Sequence, residues 1–130
     1  MTPEPENDGY FAALHKLLKK AKPVPFVSVA IGDWRPVAKQ CHKNVDRYAE
    51  CQPGRSAVRG WLIEATDGNE GYLLAAHSVV EEDGKLFDIT PAGATSANPN
   101  APRRFVKHSG TAKAFNDMLP EFNQHWVFAP

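Results

Sequence analysis

The chain is poor in cysteine: among 130 residues there are only Cys41 and Cys51. On one helix, ten positions of separation would place them ~15 Å apart, beyond the reach of a disulfide. A reducing compartment, the cytoplasm, is therefore expected. Long apolar runs are also missing. None approaches the roughly 20 residues that cross a bilayer. No charge of one sign dominates, because Lys+Arg and Asp+Glu number 15 each; neither nucleic acid nor a membrane surface is expected as a partner. The opening "MTPEPENDGY" lacks the basic and then apolar stretch of a secretion signal. Internal repeats and low-complexity tracts are absent as well.

What is present fits one domain over residues 1–130, with 42% hydrophobic and 23% charged residues around a single core. Residues 1–7 are expected to fray. From Asp8 to about Lys20, Tyr10, Phe11, Leu14, Leu17 and Leu18 recur at helical spacing, with Asn7 or Asp8 as cap and "KPVP" as the stop. "FVSVAIG" (26–32) is either a strand or an extended segment. A second helix is expected from about Lys39 to Cys51, with "QPG" after it. The period then changes to two. Residues 56–66, 71–82 and 85–90 form an antiparallel meander through turns at 67–70 and Asp83-Gly84. "PAGATSANPNAP" (91–102) is a long loop, and either a flap or a plain connection. "RRFVKH" (103–108) is a fourth strand or solvated edge. Residues 111–119 are a short helix, and "HWVF" docks the C-terminus. The fold class is α+β, with helix on one face of the sheet.

The hairpin "AHSVVEEDGKLFDITP" (76–91) carries two polar groups where apolar ones would be expected. A two-residue Asp83-Gly84 loop pairs Glu82 with Lys85. Continued, that register sets Val79 opposite Asp88 and His77 opposite Thr90. His77 and Asp88 then share a face as diagonal neighbours, about 7 Å or less between Cβ atoms. A one-residue bulge would separate them. The pair serves either as a satisfied structural contact or as an oriented imidazole. An oriented imidazole does chemistry when a nucleophile reaches its other nitrogen.

Cys41, in "QCHKNV", is that candidate nucleophile. It falls in the first turn of the second helix, where amide dipoles favour thiolate and free N–H groups can hold an oxyanion. Cys51 sits at the unfavourable end and reads as a packing or surface thiol. A zinc site built from Cys41, His42, Cys51 and His77 lacks the paired close spacings of structural zinc, so no metal and no cofactor is expected. Asn44 reads as a hydrogen-bonding partner for a nearby loop.

The order Cys41, His77, Asp88, with "DITP" closing the second strand, resembles the transglutaminase-like division of the papain-like cysteine hydrolase superfamily. It also resembles a group of small bacterial proteins with a "CHxNV" helix start, a Gly-Trp strand and this His/Asp hairpin. The resemblance covers residues 40–91. It implies an antiparallel meander packed against a helix that carries the catalytic cysteine. Two departures stand out: Ser78 and Val79 replace an aromatic run after the histidine, and Gln40 adjoins the cysteine instead of preceding it by several residues. Gln40, His42 and the indole of Trp34 are the candidates for oxyanion or substrate contacts.

Two functions follow as expectations. One is a cysteine-dependent acyl transfer enzyme acting on a peptide or protein amide: Cys41 as nucleophile, His77 as base and acid, Asp88 as orienter. It covers amide hydrolysis, deamidation and transglutamination. The other is a non-catalytic binding module on the same fold.

Overall fold

The structure, a computed structural model, describes residues 5–68, 71–91 and 103–128. Among these residues three helices and six strands follow one another. Helix α1 (Pro5–Leu18) leads into β1 (Lys22–Val24), α2 (Cys41–Glu50), β2 (Arg55–Thr66) and β3 (Tyr72–Glu82). Then come β4 (Lys85–Phe87), β5 (Arg103–Lys107), α3 (Ala112–Phe122) and β6 (Gln124–Val127). The fold is α+β, as the change of period implied.

The strands run in the order β1-β5-β2-β3-β4, each ladder antiparallel, and β6 adds to β3. Just past β4, the Asp88 N–H donates to Pro25 O and the Val27 N–H donates to Asp88 O, both at 2.8 Å. The two ends of the strand path are thus bonded to each other, and the sheet curls closed. Its inner face holds Val24, Val58, Leu62, Val79 and Phe105. Gly60 permits this curl: a Cβ there would collide with the Phe105 ring and Val106 O.

All three helices cover the outer face. Leu14 and Leu18 of α1 and Phe115 of α3 pack with Trp61, Tyr72 and Leu74. Val45 and Tyr48 of α2 pack with Val80 and Ile89. Trp61 Nε1 donates to the Tyr10 hydroxyl, and Tyr10 donates to His108 Nδ1, each at 2.8 Å. The His108 Nε2–H is free to donate to Thr111 O at 3.0 Å, so every polar tip in this chain is satisfied.

Several boundaries differ from expectation for physical reasons. Helix α1 begins at Pro5, so Pro5–Asn7 are helical and neither Asn7 nor Asp8 caps it; a proline in the first turn gives up an N–H that has no helical partner. "KPV", expected only as a helix stop, forms β1. Pro23 is tolerated because β1 ends the strand path. Residues 26–32 are extended and outside the strands, with isolated bridges at Phe26–Asp88 and Ile31–Trp34, and Val29 and Ile31 pack against the cluster of Val45, Tyr48, Val80 and Ile89. The third meander strand stops at Phe87, because residue 88 bonds to the segment after β1. "RRFVK" is no edge: β5 lies between β1 and β2. Helix α3 continues through Pro120 to Phe122, whose ring packs 4.8 Å from Phe11. The tail expected to dock does so as β6. Most of the 91–102 loop lies outside the described residues. Among those described, no helix is long and apolar enough to cross a membrane.

Candidate functional site

The site begins with the Asp83-Gly84 turn. Both residues have positive φ, 55° and 76°, the signature of the tight hairpin turn that Asp-Gly favours. The register is Glu82↔Lys85, Glu81↔Leu86 and Val80↔Phe87, as the turn length requires. Asp88 therefore shares the inner face with His77, and the two meet: His77 Nε2 lies 2.9 Å from Asp88 Oδ2. Asp88 is 1% exposed and His77 6%. The carboxylate takes two further donors, the Thr90 N–H on Oδ1 at 3.0 Å and Arg103 Nη1 on Oδ2 at 3.4 Å.

Strand β3 is paired on its outer side by β6 at Tyr72–Ala75 and by β4 at Val80–Glu82. Between them Ala76 donates to Asn123 O, and residues 77–79 have no strand partner on that side among the described residues. The start of α2 fills this gap. Cys41 is its first residue. The Cys41 thiol sits beside His77 and His42, all three lining one cleft, while His42 Nδ1 lies 2.6 Å from Ser78 Oγ. Two adjacent helix residues thus meet two adjacent strand residues, whose side chains point to opposite faces.

Asn44 fixes the start of α2. Its Oδ1 accepts from Val37 N at 3.1 Å, and its Nδ2 donates to Val37 O at 2.8 Å and to Thr90 Oγ1 at 3.0 Å. One buried amide thereby ties the entry loop, the helix and the strand end beside Asp88. Gln40 occupies the cap position of α2 but gives no side-chain cap bond, so the first amides of the helix are left for another acceptor.

Charge follows from this geometry. Burial alone would raise the Cys41 thiol; hydrogen bonds to His42 and His77, and the positive charge of both, outweigh it and lower the thiol to about 6. Burial alone would lower His77; the bonds to Asp88 and Cys41, and their negative charges, raise it to about 9. Near pH 7 the pair is thiolate and imidazolium.

The sulfur faces a cleft of about 450 Å³. His42, His77, Thr90 and Arg103 line it, together with Leu62, Glu64 and Gln124. Glu64 accepts from Gln124 Nε2 at 2.6 Å. Trp34 and Gln40 lie elsewhere, lining a shallow depression with Lys43, Asn44 and Arg47; the Arg47 guanidinium sits 4.9 Å from the Trp34 ring. Cys51 is exposed at the far end of α2. Among the described residues, no three His, Cys, Asp or Glu side chains cluster as a metal site would need.

Four residues of the site were not singled out for it by sequence reasoning. Arg103 sits in a basic stretch that read as surface. Ser78 stood out only as a departure from the family pattern. Arg59 and Asp46, which support Ser78, carry no signal in spacing. No family model, curated protein or solved structure matches the chain.

Proposed function

We propose that the protein is a cysteine-dependent acyl-transfer enzyme in which Cys41, His77 and Asp88 act as one unit. The observation that carries this reading is a thiol beside an imidazole whose Nε2 is held by a buried carboxylate, with thiol and imidazole both lining a cleft. Cys41 Sγ attacks the carbonyl carbon of an amide and forms a C–S bond. The oxyanion is stabilised by the uncapped amides at the start of α2. His77 gives its proton to the leaving nitrogen as the C–N bond breaks, which leaves a thioester. His77 then takes a proton from the incoming water or amine, and the C–S bond breaks to restore thiolate and imidazolium. Asp88 holds the Nε2–H tautomer and the charge.

The acyl donor is a peptide or protein amide, with glutamine side chains suited to a small cleft. Resemblance to transglutaminase-like and papain-like cysteine hydrolases over residues 40–91 supports the same assignment, and so does the lowered thiol. The test is a glutamine-containing peptide incubated with hydroxylamine, which intercepts a thioester as a hydroxamate. Hydroxamate should form with the protein and not with Cys41→Ala. Its absence, with the peptide bound equally well by Cys41→Ala, would favour a binding module.

A further inference from the structure

We propose that Arg103 is a specificity residue of the Cys41 cleft: it binds a free carboxylate on the acyl donor, so that the preferred donor is a peptide ending in glutamine. The inference rests on Cys41 being the nucleophile and narrows its substrate. The cleft lies at one end of the curled sheet. Arg103 begins β5, Glu64 is near the end of β2, and Ala75 and His77 are near the start of β3. Leu62 lines it from the inner face of the sheet, and the mouth of a closed sheet is a common ligand site. Phe105 faces inward, and side chains alternate along a strand, so Arg103 is directed inward too.

Arg103 Nη1 donates to Asp88 Oδ2 at 3.4 Å, the same oxygen that His77 Nε2 meets at 2.9 Å. The guanidinium is thus anchored beside the imidazole that serves the thiol. That long contact uses one of the five N–H donors of an arginine. Among the described residues the other four have no hydrogen-bond partner, and the side chain is 27% exposed. A planar fork with free donors matches a carboxylate better than any other side chain does. Lys39, in the loop before α2, lines the cleft with positive φ, 66°. It forms no ion pair among the described residues, and so it adds to the positive potential there.

Glu64 is the opposing charge. The register of β5 against β2 sets Phe105 across from Leu62; carried two residues on, it sets Arg103 across from Glu64. The two do not pair with each other. Glu64 accepts from Gln124 through Oε2, and Arg103 turns to Asp88. Cation and anion are both left open to a ligand that carries a carboxylate and an N–H donor. A C-terminal glutamine has both, with a side-chain amide for Cys41: its carboxylate meets Arg103 and its backbone N–H meets the second Glu64 oxygen. The bonds changed are those of the acyl transfer. A C–S bond forms at the side-chain carbonyl, the C–N bond breaks, and ammonia leaves with the His77 proton.

The experiment compares two probes in the hydroxylamine reaction, acetyl-alanyl-glutamine and its C-terminal dimethylamide, with side-chain hydroxamate identified by mass. The acid should react with kcat/KM about tenfold or more above the dimethylamide, chiefly through KM. With Arg103→Gln the two probes should react alike. Any loss caused by a looser Asp88 falls on both probes and leaves their ratio unchanged, so the ratio reads carboxylate binding alone. Arg103→Lys, which keeps the charge, should regain part of the preference. Calorimetric binding of both probes to Cys41→Ala separates this proposal from the acyl-transfer reading. Tighter binding of the acid, with no hydroxamate from the unsubstituted protein, would uphold Arg103 as the carboxylate ligand while the enzyme reading failed. Equal reaction of the two probes, or a preference that survives Arg103→Gln, would overturn the proposal and leave acyl transfer standing. Equal binding of the two probes to Cys41→Ala would overturn it as well.

Discussion

Asp88→Asn changes one atom of the site and is expected to undo its charge distribution. Three donors converge on the carboxylate: the His77 Nε2–H, the Thr90 N–H and Arg103 Nη1. An asparagine has one oxygen for three donors. If the amide nitrogen faces His77, two N–H groups collide there unless His77 switches tautomer, and its Nδ1 then carries a hydrogen and cannot accept the thiol proton. If the nitrogen faces Thr90, the collision moves to that backbone N–H. Against the effect of burial, the hydrogen bond and charge of Asp88, with those of Cys41, hold the His77 proton and raise it to about 9. Losing the charge-assisted bond costs about 1.5–3 kcal/mol, and an unsatisfied buried donor about 1–3 more. A loss of that size corresponds to about two pH units or more, which takes away the rise in His77 and with it the charge that keeps Cys41 ionised.

Thiolate absorbance in the near ultraviolet, compared with Cys41→Ala across pH, reads this directly. The wild-type midpoint near pH 6 should move up by two pH units or so in Asp88→Asn. Turnover should fall on the order of 10³-fold or more, as expected when a histidine loses its orienting carboxylate. A thiolate titration unchanged in a folded Asp88→Asn would refute the reasoning.

Other outcomes follow from the same contacts. Thiolate-dependent reactivity should trace a bell: it falls below about 6 as Cys41 is protonated and above about 9 as His77 loses its proton, and steady-state rates against pH check both limbs. Asn44→Ala should cost about 2–4 kcal/mol, since Val37 and Thr90 lose three bonds to a buried amide; urea unfolding measures this, and slower Cys41 alkylation would show the helix start displaced. Gly60→Ala should destabilise by about 1–3 kcal/mol as its Cβ meets Phe105 and Val106, visible as a lower Tm. Inserting one alanine between Asp83 and Gly84 should cost little stability, because closure entropy grows slowly with length. If cross-strand NMR contacts show a slipped register, reactivity should be lost, because Asp88 turns to the other face.

The turn made the His77–Asp88 contact legible in the sequence. A two-residue Asp-Gly loop fixes register, register fixes parity, and parity decides which side chains share a face. Cys41 was legible because a helix start has a chemistry of its own. Its arrival at His77 was not: that depends on a gap in the outer pairing of β3, created by β4 stopping at Phe87 and β6 stopping at Gln124. Strand β1 was hidden by Pro23 within it and Pro25 after it, which read as breakers in any local window; a proline inside a strand is accepted only at the end of a sheet. Arg103 and the Asp46–Arg59–Ser78 chain come from distant segments, and no periodicity links them. Gln40 and Trp34 were drawn in by family pattern, yet the direction of the chain before α2 carries them to the other side of the helix.

The central claim is that Cys41 is a nucleophile driven by His77. Mixing the Cys51→Ser protein with p-nitrophenyl acetate, an activated acyl donor, tests it most directly. The account predicts a burst of nitrophenolate stoichiometric with protein, an acetyl group on Cys41 by peptide mass spectrometry, and loss of both in His77→Ala at pH 7. A Cys41 that stays unacylated, or that acylates equally fast without His77, would contradict it.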